Sequence, residues 1–126
     1  MKDVRAPLAR VKGLGSAKDG TSHFWYQRLT ALALIPLVLW VGYSLASLPV
    51  DYETLSAFIR QPAVAIGLIL LVIMVFYHSQ LGLQVVIEDY VSSHAIRAFM
   101  IILCGFLNLI LAVAGVVAIL KILFEA

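Results

Sequence analysis

Three long stretches of the chain carry no charged side chain: Leu29–Leu48, Gln61–Ile87 and Ala98–Leu120. A helix rises about 1.5 Å per residue, so roughly 20 apolar residues cross the hydrocarbon core of a bilayer. Each stretch is long enough, and the second leaves room for tilt. A helix on the surface of a soluble protein alternates polar and apolar faces, whereas these segments are apolar all round. The pattern predicts an all-α integral membrane protein with three transmembrane helices, spanning about residues 25–48, 62–88 and 97–123. These form one membrane domain over residues 23–126, after a polar arm over residues 1–22. Pro36 falls inside the first span and is expected to kink it. Asp51-Tyr52-Glu53 opens a short interfacial helix in the loop 49–61, ending near Pro62, and residues 91–96 make a tight connection.

Composition agrees. Hydrophobic residues make up 63% of the 126 positions and charged residues 13%, with a mean hydropathy of +1.02. A soluble domain has about 45–50% apolar residues, and so small a globule cannot hide the excess. Charge then sets the orientation. Lys2, Arg5, Arg10, Lys12, Lys18 and Arg28 precede the first span, leaving only Arg60, Arg97 and Lys121 for the rest of the chain. The positive-inside rule places the N-terminus on the cytoplasmic or matrix side, and three spans place the C-terminus opposite. The first apolar run exceeds that of a signal peptide, and Ala46-Ser47-Leu48 ends on a bulky residue, so no cleavage is expected. Gly13-Leu14-Gly15-Ser16-Ala17-Lys18 lacks the ending and the preceding strand of a phosphate loop. Cys104 is the single cysteine, lies mid-span, and reads as a packing residue.

The most informative polar residue is His78, ten positions before Glu88. At 1.5 Å per residue it lies roughly 15 Å below the helix end, near mid-membrane. A polar ring there needs a partner. Two readings stand: a hydrogen bond to a neighbouring helix, or a haem iron held by neutral imidazole. Gly67, Leu71, His78, Gly82, Val85 and Asp89 share one helix face. Gly82, one turn from His78, either makes room for a flat macrocycle or lets helices pack closely, as Gly67 does on the second reading. His23 and His94 lie near the cytoplasmic interface and read as solvated residues. A four-histidine, two-haem cytochrome cannot be built from this chain, and if a single haem is held by two histidines within the membrane, the second has to come from another subunit. Glu88, Asp89 and Tyr90 are either a helix end with an aromatic-belt tyrosine or a ligand site in which Tyr90 donates to a carbonyl and Asp89 orients a cation. Arg28 pairs with lipid, snorkels, or meets a haem propionate. Ser44, Ser79, Gln80, Gln84 and Asn108 read as helix–helix hydrogen-bonding groups.

The run His78-Ser79-Gln80-Leu81-Gly82-Leu83-Gln84-Val85-Val86-Ile87-Glu88-Asp89-Tyr90-Val91 resembles the second-helix signature of the smaller hydrophobic membrane anchors of succinate dehydrogenase. That signature is a His, a Gly four residues later, and an Asp-Tyr pair eleven and twelve residues after the His. Arg28-Leu29-Thr30-Ala31 is similar to the opening of the family's first helix, and Gly13-Leu14-Gly15-Ser16 with His23 and Trp25 extends the likeness over nearly the whole chain. The resemblance implies half of a heterodimeric haem-binding helix bundle: this chain beside a cytochrome b anchor subunit, with an iron–sulfur subunit and a flavoprotein subunit docked on the cytoplasmic or matrix side. It implies haem b shared between the anchors and ubiquinone as substrate. His78 would be one axial iron ligand. Tyr90 would hydrogen-bond the quinone, Asp89 would support that site, and Arg28 would lie near the propionates. The dicarboxylate chemistry would belong to other chains, so this one is not catalytic alone. The resemblance also implies a bacterial inner membrane or the mitochondrial inner membrane. The alternatives are the anchor of a quinol:fumarate reductase and a non-redox small membrane protein.

Overall fold

In a computed structural model the chain is described over residues 18–125. The motif Gly13-Leu14-Gly15-Ser16 and the basic residues Lys2, Arg5, Arg10 and Lys12 lie outside the described residues. Among the described residues four helices follow one another: α1 Lys18–Ser47, α2 Tyr52–Ile59, α3 Pro62–Tyr90 and α4 His94–Phe124. Three of them, α1, α3 and α4, are long and apolar enough to cross a membrane. The chain is an all-helical multi-pass membrane protein.

The helix limits differ from the sequence expectation at the end of the row where α1 and α4 begin. Helix α1 begins at Lys18, inside the stretch expected to be an arm. Helix α4 begins at His94 rather than near 97. The connection before it is therefore only three residues, Val91 to Ser93. Arg97 makes so short a turn workable: its Nε and Nη2 both donate to the carbonyl of Val91, at 3.0 and 2.7 Å. That satisfies a carbonyl at the C-terminal end of α3, which has no partner within its own helix. At the other end, Asp51 caps α2 by accepting from the Thr54 backbone N–H at 2.8 Å. The same bond holds the Asp51 carboxyl below its ordinary range. Helix α1 runs unbroken through Pro36, a residue that neighbouring structure can tolerate in a membrane helix.

Packing is antiparallel around a central α3. Gly67 meets Trp40 while His78 meets Thr30, so positions on α1 fall as those on α3 rise. Gly115 meets Val72 while Gly105 meets Gln80, the same relation for α4. Helices α1 and α4 both contact α3 and do not contact each other. The three spans thus form a row rather than a closed bundle, and α3 keeps two open faces. Few side chains are enclosed: Val64, Ala65, Leu81 and Ile87 on α3 and none on α4. Between membrane helices, close van der Waals fit and interhelical hydrogen bonds replace the hydrophobic drive. Glycines supply the fit. A Cβ at Gly67 would lie 2.8 Å from the Trp40 ring, and one at Gly115 would lie 3.0 Å from Val72.

Candidate functional site around His78

Helix α3 is antiparallel to α1, and equal chain lengths from the shared end bring residues to one depth. Thr30 is twelve positions from Lys18 (30 − 18), and His78 is twelve positions from Tyr90 (90 − 78). The two side chains meet: Thr30 Oγ1 lies 2.9 Å from His78 Nδ1. Thr30 is buried, at 5% exposure, and its hydroxyl also reaches back to the carbonyls of Tyr26 and Gln27, at 2.8 and 3.0 Å. The first of the two readings of His78 therefore holds for one nitrogen. The other nitrogen, Nε2, has no hydrogen bond among the described residues. Among the described residues, the buried side-chain polar atom without a partner is His23 Nε2. His78 Nε2 is thus not enclosed, and it opens to the outside of the three-helix row.

Gly67 and Gly82 share the His78 face of α3 but have different surroundings. Gly67 is filled by Trp40, whereas nothing lies within 4 Å of a Cβ built at Gly82. Close helix packing accounts for Gly67 and does not account for Gly82. An unbonded ring nitrogen and an open glycine one turn apart on the same face leave room for a flat ligand beside α3.

The remaining candidates are not gathered around His78 within this chain. Arg28 is exposed, and its guanidinium lies 5.0 Å from the Phe24 ring centroid, a cation–π contact along its own helix. Two positions separate it from Thr30, which turns it away from α3. Asp89 and Tyr90 are exposed at the C-terminal end of α3, Tyr90 at 85%. His94 is exposed as expected. His23 departs from expectation, because its Nε2 is enclosed rather than solvated.

The polar residues inside the spans divide by partner. Gln80 and Asn108 join α3 to α4: Asn108 Nδ2 donates to Gln80 Oε1 at 3.0 Å, and Gln80 Nε2 donates to the Ile101 carbonyl at 3.5 Å. Ser44 and Gln84, expected to act between helices, bond within their own instead. Ser44 donates to the Trp40 carbonyl and Gln84 to Glu88, because each finds an acceptor one turn away. An apolar groove of about 430 Å³ lies between α3 and α4, lined by Ile73, Tyr77, Ala112 and Val116 among others. It is away from His78 and brings together no titratable pair. No cluster of three His, Cys, Asp or Glu side chains occurs among the described residues. Thr30 is the residue the sequence analysis missed as a site residue. Its signal was the matched depth: a hydroxyl in an apolar span, level with the one mid-membrane histidine.

Three apolar helices in an open row, with one histidine deep between them and its free nitrogen turned outward, define a membrane anchor built to be completed by another chain. Residues 2–121 match the model of the succinate dehydrogenase/fumarate reductase transmembrane subunit family. The chain is 38% identical over 118 residues to the succinate dehydrogenase hydrophobic membrane anchor subunit of Rickettsia bellii, covering 93% of this chain and 94% of that one. It is 34% identical to the subunit of the same name in Rickettsia conorii, covering 92% and 94%. Identity to that of Paracoccus denitrificans is 31% over 96 residues, covering 75% and 74%. No solved structure matches the chain. It belongs to the succinate dehydrogenase/fumarate reductase transmembrane subunit family, as a membrane anchor subunit of succinate dehydrogenase.

Proposed function

We propose that this anchor contributes His78 as one axial ligand to a haem b shared with a second anchor subunit, and that its α3 terminus helps to bind ubiquinone. The observation that carries the reading is the divided environment of His78. Nδ1 is tied to α1, and Nε2 is unbonded and open beside the uncovered Gly82. Two imidazoles on one helix face cannot grip opposite sides of a ring, so the second ligand belongs to the cytochrome b anchor. When bound, the haem supplies a one-electron carrier at mid-membrane depth. This chain's part is to hold the ligand ring, leave room at Gly82, and exclude water with the apolar faces of α1 and α3. Arg28 would lie near a propionate in the bundle that the partner completes.

At the membrane edge, Tyr90 donates its phenolic proton to a quinone carbonyl, and Asp89 orients the polar groups beside it. Their exposure on this chain fits a pocket completed by the iron–sulfur and cytochrome b subunits. The flavoprotein and iron–sulfur subunits dock on the cytoplasmic or matrix side. That side also receives the basic N-terminal residues, in a bacterial or mitochondrial inner membrane. Succinate oxidation occurs in the flavoprotein, and this chain is not catalytic alone.

The test is expression of the chain alone and together with its partner anchor. Alone, the purified chain should bind little haem. Co-purification with the partner should bring the spectrum of a low-spin, bis-imidazole b haem. A full complement of haem on the isolated chain contradicts the shared site, and a pair that never binds haem contradicts the haem reading.

A further inference from the structure

The Thr30–His78 contact fixes more than the packing of two helices. A threonine hydroxyl carries one proton and two acceptor lone pairs. Around Thr30 Oγ1 stand three atoms: the carbonyls of Tyr26 and Gln27, at 2.8 and 3.0 Å, and His78 Nδ1, at 2.9 Å. The two carbonyls can only accept, so the single hydroxyl proton is directed back into α1. Toward His78 the hydroxyl then offers a lone pair, and Nδ1 must bring the proton. A neutral imidazole protonated at Nδ1 is bare at Nε2.

We propose that Thr30 is the positioning residue for the axial ligand: it holds His78 in the Nδ1–H tautomer and sets the orientation of the ring, presenting Nε2 for coordination. The proposal rests on the ligand reading of His78 given above and extends it to the neighbouring helix. Ligating histidines commonly donate their second N–H to an acceptor that fixes the tautomer and raises ligand basicity. Here that acceptor is a hydroxyl, and it is enclosed within the three-helix row. It is itself anchored by α1, so the ring azimuth is tied to the packing of α1 on α3. The hydrogen bond places electron density on the imidazole and favours the ferric iron, which lowers the haem potential.

Two substitutions separate this role from simple packing. Thr30→Val keeps the shape and removes the acceptor. Thr30→Ser keeps the hydroxyl and removes a methyl group. Both are made in the intact complex, alongside His78→Ala, and are read by redox titration of the haem and by the highest g value of its low-spin EPR signal. In Thr30→Val the haem potential should rise and the g value should shift, while Thr30→Ser should match the wild type. Unchanged potential and g value in Thr30→Val overturn the proposal. So does an equal disturbance in Thr30→Ser, which would mark a packing role. The His78→Ala complex distinguishes the two levels of failure. An unchanged low-spin signal there overturns the ligand reading and this inference together. A lost signal there, with Thr30→Val unchanged, overturns this inference alone.

Discussion

At His78 the two nitrogens of one ring meet different environments: the hydrogen-bond reading holds at Nδ1, and the proposed iron ligation would use Nε2. The bond to Thr30 meets the cost of placing a polar ring at mid-membrane depth. The open Nε2 is what a purely structural histidine would not require. At the membrane edge, Tyr90 has no contact that accounts for its phenol, and its exposure on this chain is 85%. Removing its hydroxyl should therefore leave assembly intact. A hydrogen bond to a neutral group contributes about 0.5–1.5 kcal/mol, so Tyr90→Phe should lower quinone turnover by about 2–10-fold. Steady-state quinone reduction by the purified variant complex checks this, and wild-type turnover would remove Tyr90 from the site.

Among the helices, α3 is the element on which the others are organised. It packs α1 through Gly67 and Thr30, and it packs α4 through Gly115 and the Gln80–Asn108 pair. The Trp40 ring fills the space over Gly67 and also lies 6.3 Å from the Phe58 ring. A methyl group at Gly67 would have to displace an indole that has little freedom to move. Gly67→Ala should therefore destabilise α1 on α3 by about 1–3 kcal/mol, the usual cost of overpacking. Thermal unfolding of the purified complex should show it. Gly82→Ala meets no neighbour in this chain, so it should leave the fold unaffected and disturb only what binds at that face. The spans were legible in the sequence because uncharged runs of this length have few other solutions. The starts of α1 and α4 were not legible. They depend on how far a helix continues into polar residues, and for α4 on the Arg97 side chain folding back onto Val91.

For the whole molecule, the open row of spans is the consequence with the widest reach. Helices α1 and α4 do not touch, and most large apolar side chains remain exposed. Lipid covers part of that surface, and on the proposed reading a partner anchor covers the His78 face. Five of the nine basic residues precede the span Thr21–Ser47 and Arg28 lies in its opening turns, so the positive-inside rule predicts the N-terminus on the cytoplasmic or matrix side. In a Cys104→Ala background, Arg5→Cys should resist an impermeant thiol reagent applied to sealed cells, while Tyr52→Cys in the opposite loop should react. The reverse pattern would invert the topology. The family likeness was legible in one fourteen-residue run, because it combines four residue types at set spacings. The role of Thr30 was not, because the sequence does not state which helix lies against which. The proposed site of Asp89, Tyr90 and Arg28 is likewise not legible in one chain, since the groups that would complete it would stand on others.

The central claim is that His78 ligates iron, and the optical and EPR spectrum of the purified His78→Ala complex tests it most directly. The account predicts loss of the low-spin bis-imidazole signal, with the haem absent, weakly held or high-spin. An unchanged low-spin bis-imidazole signal would contradict it and leave His78 a hydrogen-bonding residue between α1 and α3.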